Sequence, residues 1–199
     1  MRLSLNFYFF RHGQTDWNLE FRCQGHTDTD LNETGRKQAE TLASFMKEIP
    51  LDVIYSSDLK RALWTAQDVL QGRDIELIET PKLRECDFGE AEGMRVSEIK
   101  DKFGEDFWNM FQVNGHSFPD LSFPGGESRG SSIKRVQEVI DLCLRKKYKN
   151  VAISTHGGIV RNYLSSHIDD DRSIDIFNCC LYRLKVEENQ YAVEGPLNK

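Results

Sequence analysis

The run Leu5-Asn6-Phe7-Tyr8-Phe9-Phe10 leads directly into Arg11-His12-Gly13. An apolar, aromatic-rich strand that stops on a guanidinium, an imidazole and a glycine is making more than a turn. Open α/β sheets bind their ligands at the carboxyl ends of such strands. Far along the chain, Val151-Ala152-Ile153-Ser154 reads as another buried strand, and it ends on Thr155-His156-Gly157-Gly158. Two strand ends with the same chemistry predict one shared site.

Composition bounds the rest. A chain of 199 residues with 39% hydrophobic content supports one domain with one core. The 26 Lys and Arg against 32 Asp and Glu leave a net charge of −6, which argues against a general nucleic-acid binder. Cys23, Cys86, Cys143, Cys179 and Cys180 are an odd set without a C-x-x-C pair. They read as reduced thiols of a cytoplasmic protein, with neither a disulfide framework nor a zinc site. The first strand has no cleavage site after it, and no stretch is long enough to cross a membrane.

Strands and helices alternate along the chain. Asn32 is placed to cap a helix through Ala39, Leu42 and Met46, with Pro50 ending it. Val53-Ile54-Tyr55 is a short strand, followed by a helix from about Leu59 to Leu70 and a strand from Ile75 to Ile78. Short helical pieces fall at Val96–Phe103 and Phe107–Phe111, within a mixed segment at about 86–126 that reads as a cap. Gly125-Gly126-Glu127-Ser128 opens a long amphipathic helix, and another helix runs through Val160 and Leu164. Leu181–Val186 and Tyr191–Val193 are the final strands. This order predicts an α/β three-layer sandwich, with a mostly parallel central sheet flanked by helices, as a single domain over residues 1–199 carrying the inserted cap.

The polar residues at strand ends form a chemically coherent set: Arg11, His12, Arg61, Glu85 and His156. Guanidinium forks match phosphate oxygens. A neutral imidazole can attack phosphorus, and a carboxylic acid can protonate the departing oxygen and then activate water. Gly157-Gly158 opening a helix offers backbone N–H groups to the same anion. Taken singly, His12 or His156 is more often a structural histidine, but their company of arginines reverses that judgement. The stretch His26-Thr27-Asp28-Thr29-Asp30 imitates alternating metal ligands, and a turn before the Asn32 cap explains it better. Cys86 has no histidine paired with it locally and is assigned to packing. Arg84 stays open between an ion pair and a substrate contact. Of the cap aromatics Phe103, Phe107, Trp108, Phe111 and Phe123, most should pack on each other, with one or two facing a leaving group.

The motifs Arg11-His12-Gly13-Gln14-Thr15-Asp16-Trp17-Asn18 and Gln24-Gly25-His26-Thr27-Asp28 resemble those of the histidine phosphatase superfamily, also called phosphoglycerate mutase-like. Ser56 to Arg61, Leu83-Arg84-Glu85 with Asp87-Phe88-Gly89, Gly126-Glu127-Ser128 and His156-Gly157 follow in the family's order. The resemblance implies His12 as a nucleophile that becomes a phosphohistidine and Glu85 as proton donor. It implies Arg11, Arg61 and His156 around the transferred phosphoryl, with Asn18, Gln24, Gly25 and Gly157 bordering the phosphate and substrate. It implies no metal and no cofactor.

The mutases of this family carry an Arg-Arg pair after the acid, whereas Cys86 to Met94 is acidic and glycine-rich. The resemblance therefore favours a phosphomonoesterase acting on a small phosphorylated metabolite, as a cytoplasmic monomer or homodimer without nucleic-acid or membrane partners. Mutase-type transfer, a phosphoprotein phosphatase and a phospho-ligand binder are the alternatives. Because the acid must begin protonated, an optimum on the mildly acidic side of neutral is expected.

Overall fold

In the computed structural model, which describes residues 4–113, 117–146, 148–168, 174–188 and 190–199, the opening run forms β1 (Ser4–Arg11). It is followed by α1 (Asp16–Leu19), α2 (Glu33–Met46), β2 (Val53–Ser56), α3 (Lys60–Leu70) and β3 (Glu76–Glu79). Next come α4 (Val96–Phe103), α5 (Glu105–Met110) and α6 (Arg129–Arg145). The chain closes with β4 (Asn150–Thr155), α7 (Gly157–Ser165), β5 (Leu181–Glu187) and β6 (Gln190–Glu194).

Among the described residues the strands form one sheet in the order β3-β2-β4-β1-β5-β6. The β1, β2, β3 and β4 pairings are parallel, and β5 runs against both of its neighbours. The sheet is mostly parallel, as expected. Because β1 is central, it is covered on both faces, which is why its sequence is a continuous apolar run instead of an alternation. Phe7 and Phe9 pack with α6 and α7 residues such as Val136, Ile140, Val160 and Tyr163. Tyr8 and Phe10 join Ala39, Leu42 and Met46 of α2 and Ala66 and Val69 of α3 on the other face. The result is the three-layer sandwich.

The helices start where side chains can take up free N–H groups. Asn32 accepts from Gly35 N and Ser128 from Ser131 N, as N-caps of α2 and α6. The first of these helices stops at Met46, four residues before Pro50, because the Arg73 guanidinium takes the carbonyls of Met46 and Ile49 and so caps the end. The edge strand β3 sits one residue later than its apolar residues suggested, since pairing of Val53 with Glu76 sets its limits. Helix α5 begins at Glu105, after Gly104 at φ +95°, and leaves Phe111 as its C-cap. The four-residue α1 had no apolar signature; a reciprocal Thr15–Asn18 capping box builds it.

The crossovers place the site. Strands β1 and β4 are parallel neighbours with Arg11 opposite Thr155, so both end at one edge of the sheet. The helices following β1 and β4 leave to opposite faces, opening a crevice between these two strand ends. Over that crevice the segment from Phe88 to Phe123 makes its own small core, in which Phe111 stacks on Phe123 at 4.4 Å.

Candidate active site

The register of β1 and β4 delivers His12 and His156 together. His12 N donates to Thr155 O, and the imidazole centroids lie 5.3 Å apart. Both rings are buried, at 3% and 0% exposure. His12 Nδ1 lies 2.7 Å from Gly13 O. A carbonyl only accepts, so Nδ1 carries the proton and Nε2 keeps its lone pair. Burial, then the charges of Arg61 and Arg11, hold the His12 imidazole well below the usual histidine range. It is neutral at pH 7. Burial and Arg61 do the same to His156, which caps α7 and meets Ser57 Oγ through Nε2 at 2.9 Å. His156 is not among the residues that line the cavity, and its ring sits beside that of His12.

Arg61, on the first turn of α3, is completely buried. Its Nη1 and Nη2 donate to Thr27 O and Gly25 O. Those carbonyls face it because the 24–27 loop is folded around the Glu92 carboxylate. Glu92 accepts from His26 N, Thr27 N and Thr27 Oγ1, and also from Phe88 N. Gly25 sits at φ +55°, and a Cβ there would fall 2.0 Å from Glu92 Oε1. The loop therefore serves as the mould for Arg61, and His26 and Asp28 are used structurally. His26 Nε2 donates to Glu85 O, and Asp28 Oδ1 accepts from Lys60 N. No group of three metal-ligating side chains converges among the described residues.

Glu85 is held at both carboxylate oxygens and at its carbonyl. Its Oε1 accepts from Cys86 N at 2.9 Å and its Oε2 from Gly158 N at 2.8 Å. Its own carbonyl accepts from His26 Nε2 and Arg135 Nη2. The sequence reading gave the Gly157-Gly158 amides to a phosphate; the Gly158 N–H instead orients the acid. Arg135, on α6, also forks onto Glu127 and reaches Lys82 O. Its place beside Glu85 was missed because nothing in an amphipathic helix marks one exposed-looking arginine from another. Arg84 is settled: its guanidinium makes a two-point pair with Asp58 at 2.7 and 2.6 Å. Cys86 is buried, donates to Glu127 O, and burial pushes its thiol up, as packing requires.

A cavity of about 430 Å³ opens in front of this set, lined by Arg11, His12, Asn18, Gln24, Gly25, Arg61, Glu85 and Gly157. Asn18 Oδ1 is taken by Thr15 N and by Asn178 Nδ2, so its amide N–H groups are what it offers. Gln24 Oε1 likewise accepts from Thr29 Oγ1. Asn178, which also donates to His12 O, is a lining residue that sequence reading did not find. From the cap, Phe88, Trp108 and Phe111 form the apolar side, whereas Phe103, Phe107 and Phe123 pack within the cap.

Three buried nitrogens around His12 have no partner among the described residues: the N–H groups of Arg11 Nε and Arg61 Nε, and the ring nitrogen His156 Nδ1. Buried donors left open are rare. Open guanidinium donors beside a neutral imidazole with a free lone pair are an arrangement that can receive an anion.

The chain is similar to known proteins over most of its length. Over 143 residues it is 38% identical to a protein of Hydrogenobacter thermophilus named phosphoserine phosphatase 1, covering 72% of this chain and 65% of that protein. It is 31% identical to a probable phosphoglycerate mutase, GpmB, of Cronobacter sakazakii, covering 96% of this chain and 89% of that protein. The crystal structure of a phosphoglycerate mutase from Bacillus anthracis superposes with a TM-score of 0.86 at 25% identity, covering 97% of this chain and 92% of that one. The sequence pattern of the histidine phosphatase superfamily, branch 1, matches residues 7–198, and the chain belongs to that family.

Proposed function

We propose that the chain is a phosphomonoesterase that hydrolyses a small phosphorylated metabolite through a phosphohistidine on His12. The observation that carries this reading is the pair of open guanidinium donors on Arg11 and Arg61, with the open ring nitrogen of His156, around a neutral, Nδ1-protonated His12.

In the first step His12 Nε2 attacks phosphorus in line, while the arginines bind the equatorial oxygens and offset their growing charge. If the Ser57 hydroxyl donates to His156 Nε2, the orphaned Nδ1 bears the proton and adds a third donor. Glu85 gives its proton to the leaving oxygen. In the second step the same carboxylate takes a proton from water, which attacks the phosphohistidine and restores His12. Asn18 and Gln24 offer amide N–H groups to the phosphate and the adjoining substrate. Losing one preorganised donor costs about 100- to 1000-fold in rate. Losing the acid costs roughly 100- to 10,000-fold.

Hydrolysis is favoured over mutase transfer by the charge of the cavity beyond the phosphoryl end. A mutase must retain a bisphosphorylated intermediate, but Arg22 there is already paired with Glu20 and bound to Gly93 O. The acids after Glu85 are engaged with the chain itself, as Glu92 is with the 24–27 loop. Turnover of p-nitrophenyl phosphate by wild type and its loss in His12→Ala is the test. Conversion of 3-phosphoglycerate to its 2-isomer dependent on 2,3-bisphosphoglycerate, faster than phosphate release, would establish the mutase instead.

A further inference from the structure

We propose that Asn178 is a positioning residue for phosphoryl transfer: it links the carbonyl of His12 to Asn18 and so aims the Asn18 amide at the phosphoryl group. This role rests on the phosphatase reading of the same cavity.

Asn178 lies in the cavity wall. Its Nδ2 donates to His12 O at 3.2 Å and to Asn18 Oδ1 at 3.1 Å. A side-chain amide has two N–H groups, and these two acceptors take both. What is left is a carbonyl oxygen, which an anion repels, so Asn178 does not itself bind the phosphoryl group. The His12 carbonyl only accepts, and it thereby fixes which way round the Asn178 amide stands. That orientation passes to Asn18, whose Oδ1 receives one donor from Asn178 and another from Thr15 N at 3.1 Å. Reversing the Asn18 amide would lose both bonds and set its NH2 against two N–H groups. The NH2 of Asn18 is therefore left for the cavity, which Asn18 also lines.

The link is needed because packing does not hold Asn18. It is the third residue of α1, a four-residue helix with none of its residues buried. Asn178 reaches it from 160 residues away in the chain. Pairing of Phe10 with Leu181 brings the start of β5 beside the end of β1. Just before β5 the chain turns at Phe177–Cys180, closed by Cys180 N donating to Phe177 O. Cys179 in that turn has φ +59°, a left-handed conformation that a residue with a Cβ rarely takes. Such strain persists only where the surrounding structure imposes it, and it gathers at functional sites. Here its product is visible: Cys179 N and Asn178 Nδ2 both reach His12 O, at 3.3 and 3.2 Å. Loss of the Asn178 side chain therefore leaves the His12 carbonyl with Cys179 N, while Asn18 Oδ1 loses one of its two donors.

The test is a double-mutant cycle with two readouts. One is calorimetric binding of orthovanadate, a tetrahedral anion shaped like phosphate; the other is kcat/KM on p-nitrophenyl phosphate. Asn18→Ala is expected to weaken vanadate about 10- to 100-fold, as loss of a hydrogen bond to an anion does. Asn178→Ala is expected to raise the vanadate Kd and to lower kcat/KM by about 10-fold each. In the Asn18→Ala background the same substitution should change neither by more than about threefold, because the group it positions is gone. Asn178→Ser, which keeps one donor, should fall between wild type and Asn178→Ala. The vanadate Kd is immune to partial misfolding, because inactive protein changes the binding stoichiometry instead. Values for Asn178→Ala within about threefold of wild type in both readouts overturn the proposal. A loss of about 10-fold in both backgrounds also overturns it, and would put Asn178 on His12 or on the ligand itself. Failure of both Asn178 variants to fold overturns it too, and would make the residue a structural strut. A wild type that binds vanadate without turning over p-nitrophenyl phosphate is the separate failure of the phosphatase reading, with the binding cycle still readable.

Discussion

Gly158→Ala should separate activity from stability. Gly158 is the second residue of α7, where alanine is by intrinsic preference the better helix former, by up to about 1 kcal/mol. A Cβ at this position would lie 2.5 Å from Glu85 Oε1 and 3.0 Å from its Cδ, whereas ordinary contact begins at 3.4 Å. The carboxylate must therefore retreat by roughly 0.9 Å, loosening its bonds from Gly158 N and Cys86 N, a loss of about 1 kcal/mol that offsets the helix gain. Net stability, read from urea unfolding, should stay within about 1 kcal/mol of wild type. Catalysis should not be spared, because a displacement of about 1 Å at a reacting group costs up to 100-fold. Two substrates make the assay specific. An alkyl phosphate needs a protonated leaving oxygen, whereas p-nitrophenolate departs with less help, so the loss of kcat should be larger for the alkyl ester. Equal, small losses on both, within about threefold, would refute the acid role of Glu85. A large loss accompanied by more than about 3 kcal/mol of destabilisation would show instead that the cavity wall had collapsed.

Other expectations follow from the same geometry. Glu92→Ala removes the acceptor for three hydrogen bonds from the 24–27 loop and one from Phe88 N. It should cost about 3 kcal/mol in urea unfolding and raise KM as Arg61 loses its mould. His12 and His156 have folded pKa values lowered by burial, so the unfolded chain binds more protons below about pH 6.5. Their contribution is fully present above that pH and is lost as pH falls through it toward the folded values. Below about pH 5.5 it falls by about 1.4 kcal/mol per pH unit for each ring. The part of that slope due to His12 should disappear in His12→Asn. Asp58→Asn, which opens the partly exposed pair with Arg84, should change stability by no more than about 1 kcal/mol.

What could be read in advance, and what could not, divides along physical lines. Phe7 to Phe10 run apolar without alternation because β1 is covered on both faces, and that pattern is local, so the strand and its chemistry at Arg11 and His12 were legible. Capping residues are local too, and Asn32 and Ser128 marked their helices. The edge strand and the end of α2 were less so, because a partner strand and the distant Arg73 set them. At the site, the groups expected to meet substrate were visible as motifs, but the residues that hold them were not. Glu92 looked like one more acid in an acidic segment, and Arg135 like an ordinary helix arginine. Their meaning depends on contacts across 50 to 73 residues of chain, as from Arg135 to Glu85 and from Gly158 to Glu85. Even the Gly157-Gly158 pair was half misread, since one of its amides serves the acid rather than the anion.

The central claim is that phosphorus passes through His12. Wild-type protein mixed rapidly with p-nitrophenyl phosphate, quenched in alkali to preserve phosphohistidine, and mapped by peptide mass spectrometry tests it directly. The account predicts a phosphoryl group on the peptide containing His12, formed and discharged at rates compatible with turnover, and absent from a His12→Ala protein that has lost activity. Turnover by His12→Ala at a rate close to wild type, or a phosphoryl group that never appears on His12 while phosphate is released, would contradict it.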